Sequence, residues 1–485
     1  MSKASFWHDG CLFRNTTRDI IETEDRWLLG WKGIMANTKD MIGCSVFGRL
    51  LRRRQVIPLK RVTSACFLAS ALLPTFTIEA ATYFVAINGS DANTCAQART
   101  QLTPLLTIPA GVKCLAGGDT LIIKAGTYPN QEITNPPAGT AGSYTIISGE
   151  LSGARPVIAP NGGSLQRGFY CSNGNSCRYI EMRYIEVTGA YNSIKLHGDE
   201  RIGYPHHLRF INNVFHDTVH TNILTITSDT GFQGGDHLFQ GNEFYRTGVV
   251  GNPGYAPGHN TIYNPGNRTI IEKNNFHNLA NGVGIWHSKK YIQNVIVRSN
   301  VFYDIGRPSI DTWQQGNGSF AGIHVSVPGG GHQIYNNVIY RSGEDSTFAG
   351  IRINPLWDRE NTMTIHVYNN TIYDILNSDA HAVRVTTTLG GPHLIKNNIA
   401  YLAGKGISGG TQSNNLTTDP SFADPAGSDF RLLRRSDAID KGAILDLVTT
   451  DFAGVRRPQE AGYDIGAYEA GNSSSPLPPK SLSAR

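Results

Sequence analysis

Asn213-Val214-Phe215-His216, Asn242-Glu243-Phe244-Tyr245, Asn274-Asn275-Phe276-His277, Asn300-Val301-Phe302-Tyr303, Asn337-Val338-Ile339-Tyr340, Asn370-Thr371-Ile372-Tyr373 and Asn398-Ile399-Ala400-Tyr401 are variants of one phrase. Each holds an Asn, a variable residue, an apolar residue and then His or Tyr. The intervals are 29, 32, 26, 37, 33 and 28 residues, the range of a stacked repeat. Within each unit apolar residues alternate by two rather than by 3.6, and Gly and Asn interrupt every candidate helix, so the units are coils of short strands. Stacked coils place the Asn residues in an internal ladder bonded along the axis and the Phe and Ile residues in a continuous core. The unequal intervals assign insertions to loops, the largest around Arg307 to Phe320.

A second strand in each coil reads Ile194-Lys195-Leu196, Leu224-Thr225-Ile226, Thr261-Ile262-Tyr263-Asn264, Gly284-Ile285-Trp286-His287, Gly322-Ile323-His324-Val325, Gly350-Ile351-Arg352-Ile353 and Ala382-Val383-Arg384-Val385. With aliphatic residues inward, one residue per coil points out. The expected outward row is Lys195, Thr225, Tyr263, Trp286, His324, Arg352 and Arg384.

The ends differ from the repeat. Residues 81–118 form an N-terminal cap with a short amphipathic helix over Pro104–Leu115, and a first strand is expected over Asp119–Tyr128. The coils occupy 119–415, residues 416–470 form a C-terminal capping segment, and 471–485, rich in Ser and Pro, form a disordered tail. The fold class is all-β, a parallel β-helix solenoid with a helical cap at its N-terminus and a second cap at its C-terminus.

Composition agrees. The 53 Gly of 485 residues favour turns and strands, and the 40% hydrophobic content allows a large core. The net charge of +5 is confined to residues 1–80, which hold 12 basic and 7 acidic residues and leave 31 of each in the remainder. A neutral body gives no global field for nucleic acid. Arg52-Arg53-Arg54 and Lys60-Arg61, the apolar stretch Val62–Ile78 and the small pair Ala80-Ala81 read as a signal peptide, so residues 1–80 are a leader, with no membrane attachment once it is cleaved. The product is expected in the periplasm or outside the cell, as a monomer. Beyond the leader the cysteines are Cys95, Cys114, Cys171 and Cys177, an even set whose simplest pairing is Cys95–Cys114 and Cys171–Cys177.

The opening Tyr83-Phe84-Val85-Ala86-Ile87-Asn88-Gly89-Ser90-Asp91, the stretch from Gly118-Asp119-Thr120 to Ala125-Gly126-Thr127-Tyr128 and the closing Asp464–Glu469 resemble right-handed parallel β-helix proteins exported by bacteria. That superfamily includes polysaccharide lyases and pectinase-like hydrolases, and the resemblance covers roughly residues 82–470. It implies a right-handed helix and a carbohydrate substrate. Of the polygalacturonase-like motifs only Gly258-His259-Asn260 comes close, and no Asp-Asp pair occurs, which disfavours that hydrolase class. Lyases similar to chondroitinase B and alginate lyase use an outward Lys and Arg, in the best-known cases beside calcium. The resemblance therefore leaves room for calcium, although no clustered Asn/Glu site stands out.

A lyase that eliminates across a uronate needs a neutraliser for the carboxylate, a base and an acid. Arg suits the first role, and Lys, His or Tyr the others. The expected catalytic residues are His324, Arg352, Tyr263 and Lys195, and the expected substrate-binding residues are Trp286, Arg384, His259 and Lys289. Lys290 and Arg298 extend the basic surroundings. His287 is expected to point inward, and His216 and His277 to face solvent on another side. The expected function is cleavage of an acidic polysaccharide by β-elimination. The alternatives are a glycoside hydrolase using two of the loop carboxylates Asp304, Asp311, Glu344, Asp345 and Asp358, and a noncatalytic glycan-binding solenoid.

Overall fold

The computed structural model describes residues 79–471 except 161–165, 173, 175–176, 200, 227–233, 249–259, 287–291, 311–320, 327–328, 355–362 and 388–390. The leader and the Ser/Pro-rich tail thus lie, almost entirely, outside the described residues. The chain is a right-handed parallel β-helix built of three long sheets. The first has 12 strands, from Thr82–Val85 to Thr411–Ser413; the second has ten, from Gly126–Pro129 to Ile399–Ala403; the third has ten, from Ile133–Thr134 to Ile407–Ser408. Each coil contributes one strand to each sheet in turn. The expected first strand is two, Thr120–Ile123 and Gly126–Pro129, because Gly126 turns the corner with φ of 145°. Thr82–Val85 already pairs in parallel with Thr120–Ile123.

The repeated Asn phrase occupies the corner from the first sheet to the second. From Asn242 to Asn398 each inner Asn is buried and makes the same bonds. The Asn300 side-chain N–H donates to the Ile271 carbonyl at 2.9 Å and to Asn337 Oδ1 at 3.0 Å, while its Oδ1 accepts the backbone and side-chain N–H of Asn274, both at 2.9 Å. The pattern runs from Asn213 through Asn242, Asn274, Asn300, Asn337, Asn370 and Asn398 to Asn415. Two residues after each Asn the apolar side chain points into the core. Phe215, Phe244, Phe276 and Phe302 stack with centroids 5.2, 4.9 and 4.6 Å apart, and Ile339 and Ile372 continue the row. Each such burial contributes about 1.5–3 kcal/mol.

The N-terminal helix, Ile108–Cys114, starts at the Thr107 cap and closes the open end of the core with Ile108 and Val112. Gly111 is required there, since a Cβ would lie 2.6 Å from Val85 and 2.8 Å from Leu121. Both expected disulfides are present, Cys95–Cys114 and Cys171–Cys177. No described helix is long and apolar enough to cross a membrane.

The C-terminal segment lies along the sides of the coils. Phe422, Phe430 and Tyr468 pack on Tyr303 and Tyr340 outside the second sheet, and Leu445, Val448 and Tyr463 pack on Tyr335 and Tyr368 outside the first. It is held by the residue before each ladder Asn: Asn336, Asn369 and Asn397 have positive φ, point outward, and donate to the carbonyls of Thr450, Asp464 and Ala443. Neither apolar cluster of this segment contains a residue of the third sheet.

Replacing Asn300 by Ala strands the N–H groups of Asn274 and the carbonyl of Ile271 in a dry interior. The expected cost is about 1–3 kcal/mol, read as a lowered melting temperature. An unchanged melting temperature would contradict a ladder that bears on stability.

Candidate functional site

Register on the third sheet decides which side chains share a line. Residues paired strand to strand are Tyr170, Lys195, Leu224, Tyr263, Gly284, His324, Arg352, Arg384 and Ser408. Ile323, Val325, Ile351, Ile353 and Val383 flank this line and fill the core, so alternation turns the line outward.

Two expected members stand elsewhere. Thr225 pairs with Leu196, which is buried in the core, and Leu224 holds the outward register position. Ile223-Leu224-Thr225-Ile226 carries no clean alternation, and choosing the wrong aliphatic as inward exchanges the faces. Trp286 pairs with Ser326, two residues beyond His324, and Gly284 takes the place expected for it. The register thus sets Trp286 two positions further along the strand Asn281–Trp286 than Gly284. His259, His287, Lys289, Lys290, Asp311 and Asp358 lie outside the described residues.

The structure brings His324, Arg352 and Arg384 onto adjacent strands, each about 4.8 Å from the next. His324 Nε2 lies 2.6 Å from Asn354 Oδ1. An amide oxygen only accepts, so Nε2 carries the ring proton and Nδ1 keeps its lone pair. Burial, joined by the charge of Arg352 and opposed by the Asn354 bond, pushes the imidazole down to about 4. His324 is therefore a neutral base at neutral pH. The Asn354 amide in turn faces Ser326 Oγ at 3.4 Å.

Arg352 is only 8% exposed, and its Nε and Nη2 are buried with no hydrogen-bond partner among the described residues. Burial first and the neighbouring Arg384 second, opposed by Asp345, push the guanidinium down to about 10, which leaves it charged at neutral pH. Neither Arg352 nor Arg384 has an ion-pair partner among the described residues. Two adjacent cations, one with dry and unused donors, form a socket for an anion. Tyr263 stands two strands from His324, and burial raises its hydroxyl, so it remains a proton donor. Lys195 stands four strands from His324, outside its reach.

Of the carboxylates expected in loops, Asp304 lies instead in the strand Val301–Ile305 of the second sheet, and the charge of Asp345 acts on Arg352. Asp304 is held by Arg307 and Arg341, which outweigh its burial and keep it ionised, and Glu344 is held by Ser309 and Arg307 against its own burial. His216 and His277 belong to another line, on the second sheet, where they stack with Tyr245 and Tyr303 and are partly covered. Calcium requires several oxygen ligands. Among the described residues no group of three or more His, Cys, Asp or Glu is arranged to hold a metal. Asn354 and Ser326 were missed by sequence reading. Ser326 stands two residues after His324, and Asn354 two residues after Arg352, just beyond the strand Ala349–Ile353.

These features define a parallel β-helix with a cationic, histidine-bearing line on the outward side of its third sheet, where Arg352 is nearly buried. Among solved structures the chain is similar to pectate lyase Pel9A, with TM-score 0.55 and 17% identity over 80% of this chain and 96% of that one. It also matches a rhamnogalacturonan lyase, with TM-score 0.45 and 14% identity over 71% and 90%, and a lacto-N-biosidase from Eubacterium ramulus, with TM-score 0.40 and 13% identity over 70% and 67%. At 17% identity the likeness to the pectate lyase shows the fold alone. No protein-family model matches the sequence, and neither does any curated protein.

A nuclear magnetic resonance titration of His324 is expected to show it neutral down to a midpoint of about 4. Asn354→Asp, which sets a carboxylate against Nε2, is expected to raise that midpoint. A wild-type midpoint at the ordinary value of 6.5 would contradict the buried, tethered imidazole.

Proposed function

We propose that this chain is a polysaccharide lyase that cleaves an acidic, uronate-containing polysaccharide by β-elimination on the third sheet. The observation that carries the reading is the buried Arg352, charged and with two unused nitrogens, beside a neutral histidine. A uronate carboxylate bound by Arg352 and Arg384 brings its α-carbon next to His324. His324 Nδ1 takes the α-proton, electron density moves onto the carboxylate that the two guanidinium groups stabilise, and the 4-linked oxygen leaves as the double bond forms. The leaving oxygen takes up a proton, and Tyr263 is the nearest donor on the line. No step is routed through calcium. The hydrolase alternative is weaker, because a general acid must hold a proton at working pH and Asp304 and Glu344 are kept ionised by arginines. Two disulfides support export to an oxidising compartment, where such polymers are met.

The full chain should be incubated with polygalacturonate, alginate and a glycosaminoglycan, with unsaturated ends followed by their ultraviolet absorbance. Release of such ends from one polymer is expected, and His324→Ala should lower the rate by about 100- to 10,000-fold. Arg352→Ala should lower it as well, with both variants retaining the wild-type melting temperature within a few degrees. Reducing ends without that absorbance would replace the lyase by a hydrolase. Wild-type turnover in both variants would move the active site to another face.

A further inference from the structure

The same line carries a second basic cluster toward the N-terminal end. Tyr170 pairs with Lys195, and His197 follows two residues later on the same outward side of the strand Asn192–His197. The Arg167 guanidinium lies 4.2 Å over the Tyr170 ring, which holds that ring in place beside the lysine. Lys195 is half-buried and has no ion-pair partner among the described residues. The carboxylates nearby are occupied: Asp199 accepts the backbone N–H groups of Arg201 and Ile202 and pairs with the Arg201 side chain, and Glu132 takes the Thr134 hydroxyl and the Arg167 backbone N–H. Burial and the charge of Arg167 lower the Lys195 ammonium, while burial and the charge of Lys195, opposed by Asp199, lower His197 and favour its neutral form. Lys195 stands near Arg167 on the paired strand with no ion pair of its own among the described residues.

Between this cluster and His324 the line holds Leu224, Tyr263 and Gly284, none of them charged. Four strand spacings of about 4.8 Å put Lys195 about 19 Å from His324, a span of several sugar units. We propose that Tyr170, Lys195 and His197 form a distal subsite for a second acidic sugar of the same chain, so that the protein holds long anionic glycans by two separated points along the β-helix axis. This rests on the reading of the line as a glycan site, but not on the chemistry at His324. The Tyr170 ring supplies an apolar surface, and Lys195 a point charge for a carboxylate or sulfate. A short oligosaccharide reaches one cluster only, whereas a polymer engages both, and the second contact then forms at high effective concentration.

The test measures affinity of the full chain carrying His324→Ala, so that nothing is consumed, for polygalacturonate and for alginate, each against its trimer. The polymer is expected to bind more tightly than the trimer, and Lys195→Gln should shrink that preference by at least about tenfold, while Lys195→Arg keeps it. A preference unchanged by Lys195→Gln, or no preference in the parent protein, would overturn the distal subsite. Product formation by the wild type is read separately. Length preference that depends on Lys195 with no unsaturated product would sink the lyase and leave the subsite standing; product without that dependence would do the reverse.

Discussion

The constraint on which the rest depends is that a buried amide must spend its donors and acceptor. Each ladder Asn can do so only if the next coil presents an Asn at the same height, so the ladder fixes coil against coil to the residue. Register on the third sheet is not passed along the chain from the ladder, since His324, Arg352 and Arg384 lie 24, 15 and 14 residues after Asn300, Asn337 and Asn370; it is held by the parallel pairing of that sheet's own strands on coils the ladder has already stacked. His324, Arg352 and Arg384 come from residues 28 and 32 apart in sequence, whereas Asn300, Asn337 and Asn370 are 37 and 33 apart, and the first three stand side by side because their own strands pair in parallel. Variation in coil length is absorbed elsewhere without disturbing that alignment.

The second organising feature is asymmetry of cover. The C-terminal segment places apolar side chains against two of the three sheets and is gripped by the outer Asn of the same dipeptides whose inner Asn builds the ladder. Polar groups on those two sheets are largely satisfied by one another, as Asp304 with its two arginines or Glu272 with Arg298 illustrate. On the third sheet the balance differs. Arg352, Arg384 and Lys195 have no ion pair among the described residues, although the body of the chain is neutral overall and the charge of Asp345 acts on Arg352.

Much of this was legible in the sequence. The Asn phrase sufficed for the coils and the ladder, since period and chemistry agreed at every occurrence, and Lys195, Tyr263, His324, Arg352 and Arg384 were placed on one line by alternation alone. Alternation failed where it was absent. Ile223 to Ile226 has aliphatic residues at three of four positions, and Gly284 offers no side chain to mark the face, so Thr225 and Trp286 were misplaced along the line. The tether between His324 and Asn354 crosses from one coil to the next at a diagonal, and no local pattern announces such a pair. The path of the C-terminal segment over the outer faces was also hidden, because residues such as Leu445 and Tyr463 look the same whether they close an end or coat a side.

The central claim is that the third sheet is the face on which an acidic glycan lies, with its carboxylate on Arg352. A crystal structure of the full chain carrying His324→Ala, soaked with a uronate oligosaccharide, tests it most directly. The account requires a carboxylate within hydrogen-bonding distance of Arg352 and Arg384, with the sugar ring over position 324 and the chain running along the helix axis. An oligosaccharide seated on either of the other two sheets, or on the third sheet without touching either arginine, would contradict it.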